Sequence, residues 1–171
     1  VEVWFGVLAL AGVVFIDVLQ GMMIGLLASL AFVVYRSSRP HLSSLGRVPG
    51  VAGAYADLGR HPENTPVPGV LIVRLDAPMY YANALTARDR LKAMVRDASP
   101  PPGAIVFDGE GQDGLDVTSA HMLVGLVGEL RAAGIDVYFA NVHEPVLDRA
   151  RATGLLDAVH AMTTFLKLIA A

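Results

Sequence analysis

Polar residues are almost missing from the first stretch of this chain. Val3 to Tyr35 holds a single charged residue, Asp17, among 33 positions, and no soluble helix tolerates that without complete burial. The pattern predicts membrane material. As one straight helix it would run about 50 Å at 1.5 Å per residue, against a hydrocarbon core of about 30 Å, with Asp17 near the middle. A central Asp costs roughly 2.5 to 3.5 kcal/mol on insertion. Two short helices, 3–16 and 18–35, with Asp17 and Gln20-Gly21 at the bend, avoid both difficulties. Gly21, Gly25 and Ser29 recur every four positions along the second helix, a small-residue stripe that lets another helix approach closely.

Beyond Tyr35 come Arg36, Arg39 and Arg47, with no acidic residue between Asp17 and Asp57. The positive-inside tendency places this end of the helix, and all that follows it, in the cytoplasm. Residues 37–69 carry Pro40, Pro49, Pro62, Pro66 and Pro68, the composition of a connector holding at most one short edge strand near Val51 to Tyr55.

From Val70 the texture becomes that of an α/β fold. Val70 to Leu75 reads as a strand, Met79 to Ala82 as a second short one, and Asn83 as a helix cap. Ala84, Ala87, Leu91, Met94, Val95 and Ala98 mark the buried face of the helix that follows. Ala104 to Asp108, bounded by prolines and Gly109, reads as a fully buried strand. Asp116-Val117-Thr118-Ser119 opens a helix over 118–133 that Gly134 stops. A strand from Ile135 to Ala140 and a helix from near Pro145 to Gly154 follow, and Thr163 or Thr164 caps a last helix. Alternating strands and helices predict a mostly parallel sheet with helices packed on it.

Composition narrows the picture. With 171 residues and 54% hydrophobic content, the chain builds one core of ordinary size and no second full domain. The absence of cysteine excludes disulfides and thiolate metal sites, and a net charge of −3 gives no support for nucleic-acid binding. The chain opens at Val1 inside an apolar segment, which reads as a piece of something longer. No basic stretch precedes that segment and no small-residue cleavage site closes it, which speaks against a signal peptide.

The loop after Asp108 offers three chemistries. Gly109-Glu110-Gly111-Gln112-Asp113-Gly114 spells the G-x-G-x-x-G of dinucleotide-binding folds, yet Glu110 and Asp113 put negative charge where phosphates would approach, and the helix starts too late. Asp108, Glu110, Asp113 and Asp116 lack the spacing of a calcium loop. His121, His143 and His160 show no metal-ligand spacing, and no glycine elbow supports a nucleophile at Thr118. No cofactor, metal or catalytic residue is expected, so the chain is read as a non-enzyme. Asp116 and Thr118 each sit where an oxygen caps the helix, and Asp108 ends the strand where it helps order the loop.

Several of these stretches together resemble a known family. They are Gly21 to Arg36, the Ser-Arg-Pro connector, Leu45 to Gly50, the run Val73-Arg74-Leu75-Asp76-Ala77-Pro78-Met79-Tyr80-Tyr81-Ala82-Asn83-Ala84, and Asp116-Val117-Thr118-Ser119-Ala120. The combination is similar to the carboxy-terminal end of sulfate permease (SulP) family anion transporters, whose last membrane helices precede a cytoplasmic STAS domain. The resemblance implies an N-terminal transmembrane helical segment followed by an α/β STAS domain, divided as a hairpin over 1–36, a linker over 37–46 and the domain over 47–171. It implies a sulfate-type secondary transporter in the inner membrane. Its partners would be lipid and other transporter helices around residues 1–36, a second subunit in a homodimer, and cytosolic proteins or a nucleotide at residues 109–118. In soluble anti-sigma-factor antagonists, stand-alone phospho-switched modules of the same domain type, the matching loop reads Asp-Ser-Ser-Gly and its second serine is phosphorylated. Thr118 aligns there as the regulatory phosphosite, although Val117 and Ser119-Ala120 depart from the pattern. Asp108, Asp113 and Asp116 would repel a phosphate on Thr118, making it a disrupting switch.

Overall fold

The computed structural model describes residues 2–15 and 17–159. The helix expected from Thr163 or Thr164, and His160, lie outside the described residues. The chain divides into two compact units, up to Arg39 and from Pro40 on.

In the first unit α1 (Glu2–Phe15) and α2 (Val18–Ser37) break at Asp17, whose carboxylate accepts from the Val18 amide at 2.7 Å and caps α2. At 20 residues α2 is long and apolar enough to cross a membrane, running about 30 Å. The two helices meet through glycine. A Cβ on Gly21 would lie 2.2 Å from the Val13 nitrogen, and one on Gly12 would lie 2.8 Å from the Gly21 Cα. Gly21 is buried, Gly25, Ala28 and Phe32 are half-buried, and Ser29 is exposed. The inner stripe of α2 therefore drifts from spacing four to three after Gly25, as 3.6 residues per turn require, and leaves Ser29 outside it. Past the end of α2, the Arg39 guanidinium stacks over the Tyr35 ring, 4.4 Å from its centroid.

The second unit is a five-stranded sheet of order β2-β1-β3-β4-β5, formed by β1 (Leu42–Arg47), β2 (Tyr55–Asp57), β3 (Val70–Leu75), β4 (Ala104–Asp108) and β5 (Asp136–Ala140). β3, β4 and β5 run parallel, with Ile105 of β4 opposite Leu71 and Val137. β1 joins β3 and β2 antiparallel. Two crossover helices, α3 (Tyr81–Asp97) and α4 (Val117–Ala132), link the parallel strands, and α5 (Glu144–Ala152) and α6 (Leu155–Ala158) follow. Gly154, at φ 74, separates the last two.

Side chains alternate across the sheet, as a period of two demands. Val73, Leu75, Ile105, Val137 and Phe139 meet Ala84, Ala87 and Leu91 of α3 and Leu123, Leu126, Val127 and Leu130 of α4 in the main core. Leu45, Ile72, Val106 and Tyr138 form a second apolar cluster on the other face. Phe107 and Phe139 pack edge to face with ring centroids 5.5 Å apart.

Three sequence expectations change here. The stretch 37–46, expected as a linker, supplies most of β1, a strand paired on both sides. The edge strand expected over Val51 to Tyr55 begins only at Tyr55. Met79 to Ala82 is not a strand: Met79 makes one isolated bridge to Leu115 and the chain turns helical at Tyr81. Asn83 accordingly lies inside the first turn of α3, where its Oδ1 accepts from the Tyr80 amide at 2.9 Å.

Backbone lies too close to Gly21 for any side chain, so Gly21→Ala is expected to cost about 1–3 kcal/mol by forcing α1 and α2 apart. Gly6→Ala, with nothing within 4 Å of the new carbon, should be neutral or mildly stabilising. Thermal unfolding of both variants in detergent checks this, and equal melting points would refute the close contact.

Candidate functional site

The carboxyl ends of the parallel strands, with the loops that leave them, form the polar end of the α/β unit. In α/β sheets this is where ligands and partners approach. Two connections meet there: residues 76–80 between β3 and α3, and residues 109–116 between β4 and α4.

Gln112 holds the two together. Its Nε2 donates to the carbonyls of Leu75 (2.9 Å) and Ala77 (2.7 Å), and its Oε1 accepts from the Met79 amide (2.9 Å). One neutral side chain thus satisfies three backbone groups of the other loop. Gly111 permits the approach, since a Cβ there would lie 2.8 Å from the Leu75 carbonyl oxygen.

Asp116 makes the second tie. Its Oδ1 accepts from the Ser119 amide at 2.7 Å, which caps α4, and its Oδ2 accepts from the Tyr81 amide at 2.8 Å, at the start of α3. Two helix starts, each with unfilled amides and positive partial charge, share one carboxylate. Burial works against that charge, but Ser119 through its hydroxyl and amide, the Tyr81 amide and Arg149 outweigh it and lower the Asp116 pKa. Ser119 is fully buried and its Oγ has no hydrogen-bond partner among the described residues, so the firm contact to Asp116 is the one from its amide. Thr118, the phosphosite expectation, is exposed one residue beyond Val117.

Asp108 is buried at the end of β4 and accepts four hydrogen bonds. Arg74 gives two, from Nε at 3.0 Å and from Nη2. The Glu110 amide and Asn141 Nδ2 give one each at 3.1 Å. Arg74 also pairs with the Glu110 carboxylate. Burial opposes the Arg74 charge, and Asp108, Glu110 and Asp76 together more than restore it, raising its pKa. Asp76 in turn accepts from the buried Ser43 hydroxyl at 3.0 Å.

This arrangement bears on each chemistry raised by the sequence. The loop spelling G-x-G-x-x-G turns toward β3 and does not open a helix; α4 starts at Val117, after the motif ends. Asp108 and Glu110 share Arg74 while Asp116 is taken up by two amides, and no group of three or more His, Asp or Glu side chains among the described residues is placed to hold a metal ion. His121 is exposed on α4 while His143 stands before α5, its Nε2 3.2 Å from the Glu110 carbonyl. Beneath the loops, Leu75, Met79, Phe107, Leu123 and Phe139 line an apolar cavity of about 60 Å³, well under the ~150 Å³ that holds a benzene.

Sequence reading missed Gln112, Arg74 and Asn141. For Arg74 a signal existed: Arg74 and Asp108 are each the fifth residue of their strands, and parallel pairing sets them side by side. Gln112 offered none, because its partners lie more than thirty residues upstream.

The tie through Asp116 gives a signed prediction. A carboxylate whose pKa is lowered by folding contributes stability above its unfolded value of about 3.9, lost as pH falls through the folded value. Asp116→Ala is expected to cost about 1–2 kcal/mol at neutral pH and to be less acid-sensitive than the parent. Urea unfolding followed by circular dichroism between neutral and acid pH reads both effects; equal stability at neutral pH would refute the cap.

Comparison with known proteins converges on one family. The model of the STAS domain matches residues 61–171. A probable sulfate transporter of Mycobacterium tuberculosis is 31% identical over 170 residues, 98% of this chain and 30% of that protein. Probable sulfate transporter 4.2 of Arabidopsis thaliana is 30% identical over 148 residues, 81% of this chain and 22% of that protein. The structure of the murine Solute Carrier 26 family member A9 anion transporter in the inward-facing state superposes with a TM-score of 0.78 at 19% identity. It covers 93% of this chain and 26% of that one, and shows the shared fold. The chain thus spans less than a third of the length of these relatives. From the match over 61–171 and the sheet-and-helix order described above, the chain belongs to the STAS domain family.

Proposed function

We propose that this chain is the carboxy-terminal part of a sulfate-type secondary anion transporter. In this reading α1 and α2 are the end of its membrane domain, and the unit from Pro40 on is its cytoplasmic regulatory and interaction domain. The observation that carries the reading is the continuity of an apolar hairpin with a STAS fold, matched across both units by the mycobacterial relative. Arg36 and Arg39 at the end of α2, with no acid before Asp57, favour a cytoplasmic, inner-membrane placement of the domain. The lipid-facing and helix-facing sides of α1 and α2 then meet bilayer and the remaining transporter helices, and the complete protein is a homodimer.

The domain's role is to bias the transporter's conformational equilibrium by binding differently to its states. Its working surface is the loop 109–116 with the start of α4. Thr118 is the proposed phosphosite on that surface: it is exposed, it lies at a helix start that tolerates negative charge, and it borders Asp116. A phosphate there changes what the surface binds. A nucleotide at residues 109–118 is disfavoured by Glu110 and Asp113, and catalysis is not part of the reading.

Membrane fractionation tests the anchor. The chain is expected to sediment with membranes and to resist alkaline extraction, and recovery in the soluble fraction would overturn the reading. Sulfate uptake by the parent transporter should change when the domain is present but carries Thr118→Glu. Unchanged uptake would remove Thr118 from the regulatory role.

A further inference from the structure

Where α2 ends, the chain folds back on the helix. The Ser38 amide donates to the Val34 carbonyl at 2.9 Å, the Ser38 hydroxyl to the Tyr35 carbonyl at 2.9 Å, and the Arg39 amide to the Arg36 carbonyl at 3.2 Å. These bonds hold the backbone of Arg39 against the last turn, and its guanidinium lies over the Tyr35 ring, beside the helix. Tyr35 is 53% exposed and continues a row of exposed residues, Ile24, Leu27 and Ala31, at helical spacing. A tyrosine that closes an apolar helix surface stands at the depth of the lipid headgroups, its ring against hydrocarbon and its hydroxyl toward water. Arg39 is thereby set at that depth as well.

The charge at this end is in excess. Arg36 and Arg39 are exposed, and neither pairs with a carboxylate among the described residues. Residues 18–56 hold no aspartate or glutamate. Of the two acids in the first unit, Asp17 lies at the other end of α2, about 28 Å away by helix rise. Glu2 opens α1 and, counted from the contact of Gly12 with Gly21, falls about 7 Å short of Arg36 along the hairpin. One carboxylate against two guanidiniums leaves this end positive. Two arginines are fewer than a polybasic stretch needs for diffuse attraction, so their placement decides the matter. A guanidinium presents its N–H groups in a planar fork that matches two oxygens of a phosphate. Stacking on Tyr35 occupies the face of the Arg39 fork and leaves its N–H edge free.

We infer that the end of α2 binds the phosphate of an anionic phospholipid. Arg39, steadied by Tyr35, and Arg36 in the last turn take the phosphate oxygens, and an acyl chain lies along Ala31, Leu27 and Ile24 below them. The inference rests on the membrane reading of α2 and adds a headgroup site to it. The apolar row running down from the two arginines selects a lipid over a free phosphate, which would meet the charges alone.

The test uses the whole chain in phosphatidylcholine discs and reads energy transfer from Trp4, the only tryptophan, to a dansyl label on a titrated lipid. Labelled phosphatidylglycerol binds with an apparent affinity about tenfold or more above that of labelled phosphatidylcholine, and added salt weakens the preference. Arg36→Gln and Arg39→Gln each lower it about fivefold. Tyr35→Leu, which keeps both charges and removes the stacking platform, lowers it about threefold. Arg131→Gln, at an exposed arginine of α4, leaves it unchanged. Circular dichroism checks that each variant keeps its helices. Inorganic phosphate, added at constant ionic strength, does not displace the lipid; displacement would assign the arginines to free anions and overturn the inference. Equal affinity for the two lipids, or an equal loss in Arg131→Gln, overturns it too. A chain that enters the discs without the preference sinks the lipid site alone, while one that stays outside them sinks the membrane reading with it.

Discussion

The polar end of this domain depends on two side chains that each answer to backbone groups distant in sequence. A helix start has amides with no intrahelical partner, and ordinarily each helix brings its own cap. Here Asp116 caps α4 and reaches the first turn of α3 with its other oxygen. The relative position of the two crossover helices is thereby fixed at their starts, and the apolar contacts of Ala84, Ala87 and Leu91 with the α4 face follow from it. Gln112 does the same for the loops. These connections are cross-linked to one another, whereas loops at strand ends are ordinarily the mobile part of such a fold.

What could be read from sequence divides along physical lines. β4 was legible because a buried parallel strand must be apolar throughout, and Ala104 to Asp108 has no other way to be buried. α4 was legible because its cap, its apolar period and its stop at Gly134 agree. β1 was not. Its Leu-Ser-Ser-Leu-Gly-Arg carries no strand pattern by itself. Ser43 is tolerated inside because Asp76 accepts its hydroxyl, and Gly46 because Leu58 packs where a side chain would be, 2.5 Å from a Cβ built there. Both reasons lie outside the strand. The start of α3 misled for the opposite reason: Met79-Tyr80-Tyr81 has strand chemistry, but Asn83 and Asp116 capture the amides of Tyr80 and Tyr81 and turn the chain helical.

The same division holds at the site. Asp116 announced itself by its place before an apolar helical period. The meeting of the two helix starts did not, because Asp116, Gln112 and the Met79–Leu115 bridge join residues more than thirty positions apart. In sequence Tyr81 read as part of a strand, whereas it is the first residue of α3.

Gln112 has a consequence for how the molecule meets changing surroundings. Its amide never ionises, so the clasp between the two connections holds the same shape in acid, in brine or near a charged bilayer. The carboxylates around it respond to all three. Gln112 thus keeps one clasp indifferent to charge, whereas Asp116 and Asp108 shape the face and charge it at once, so that ionic surroundings act on their ties as well as on the potential.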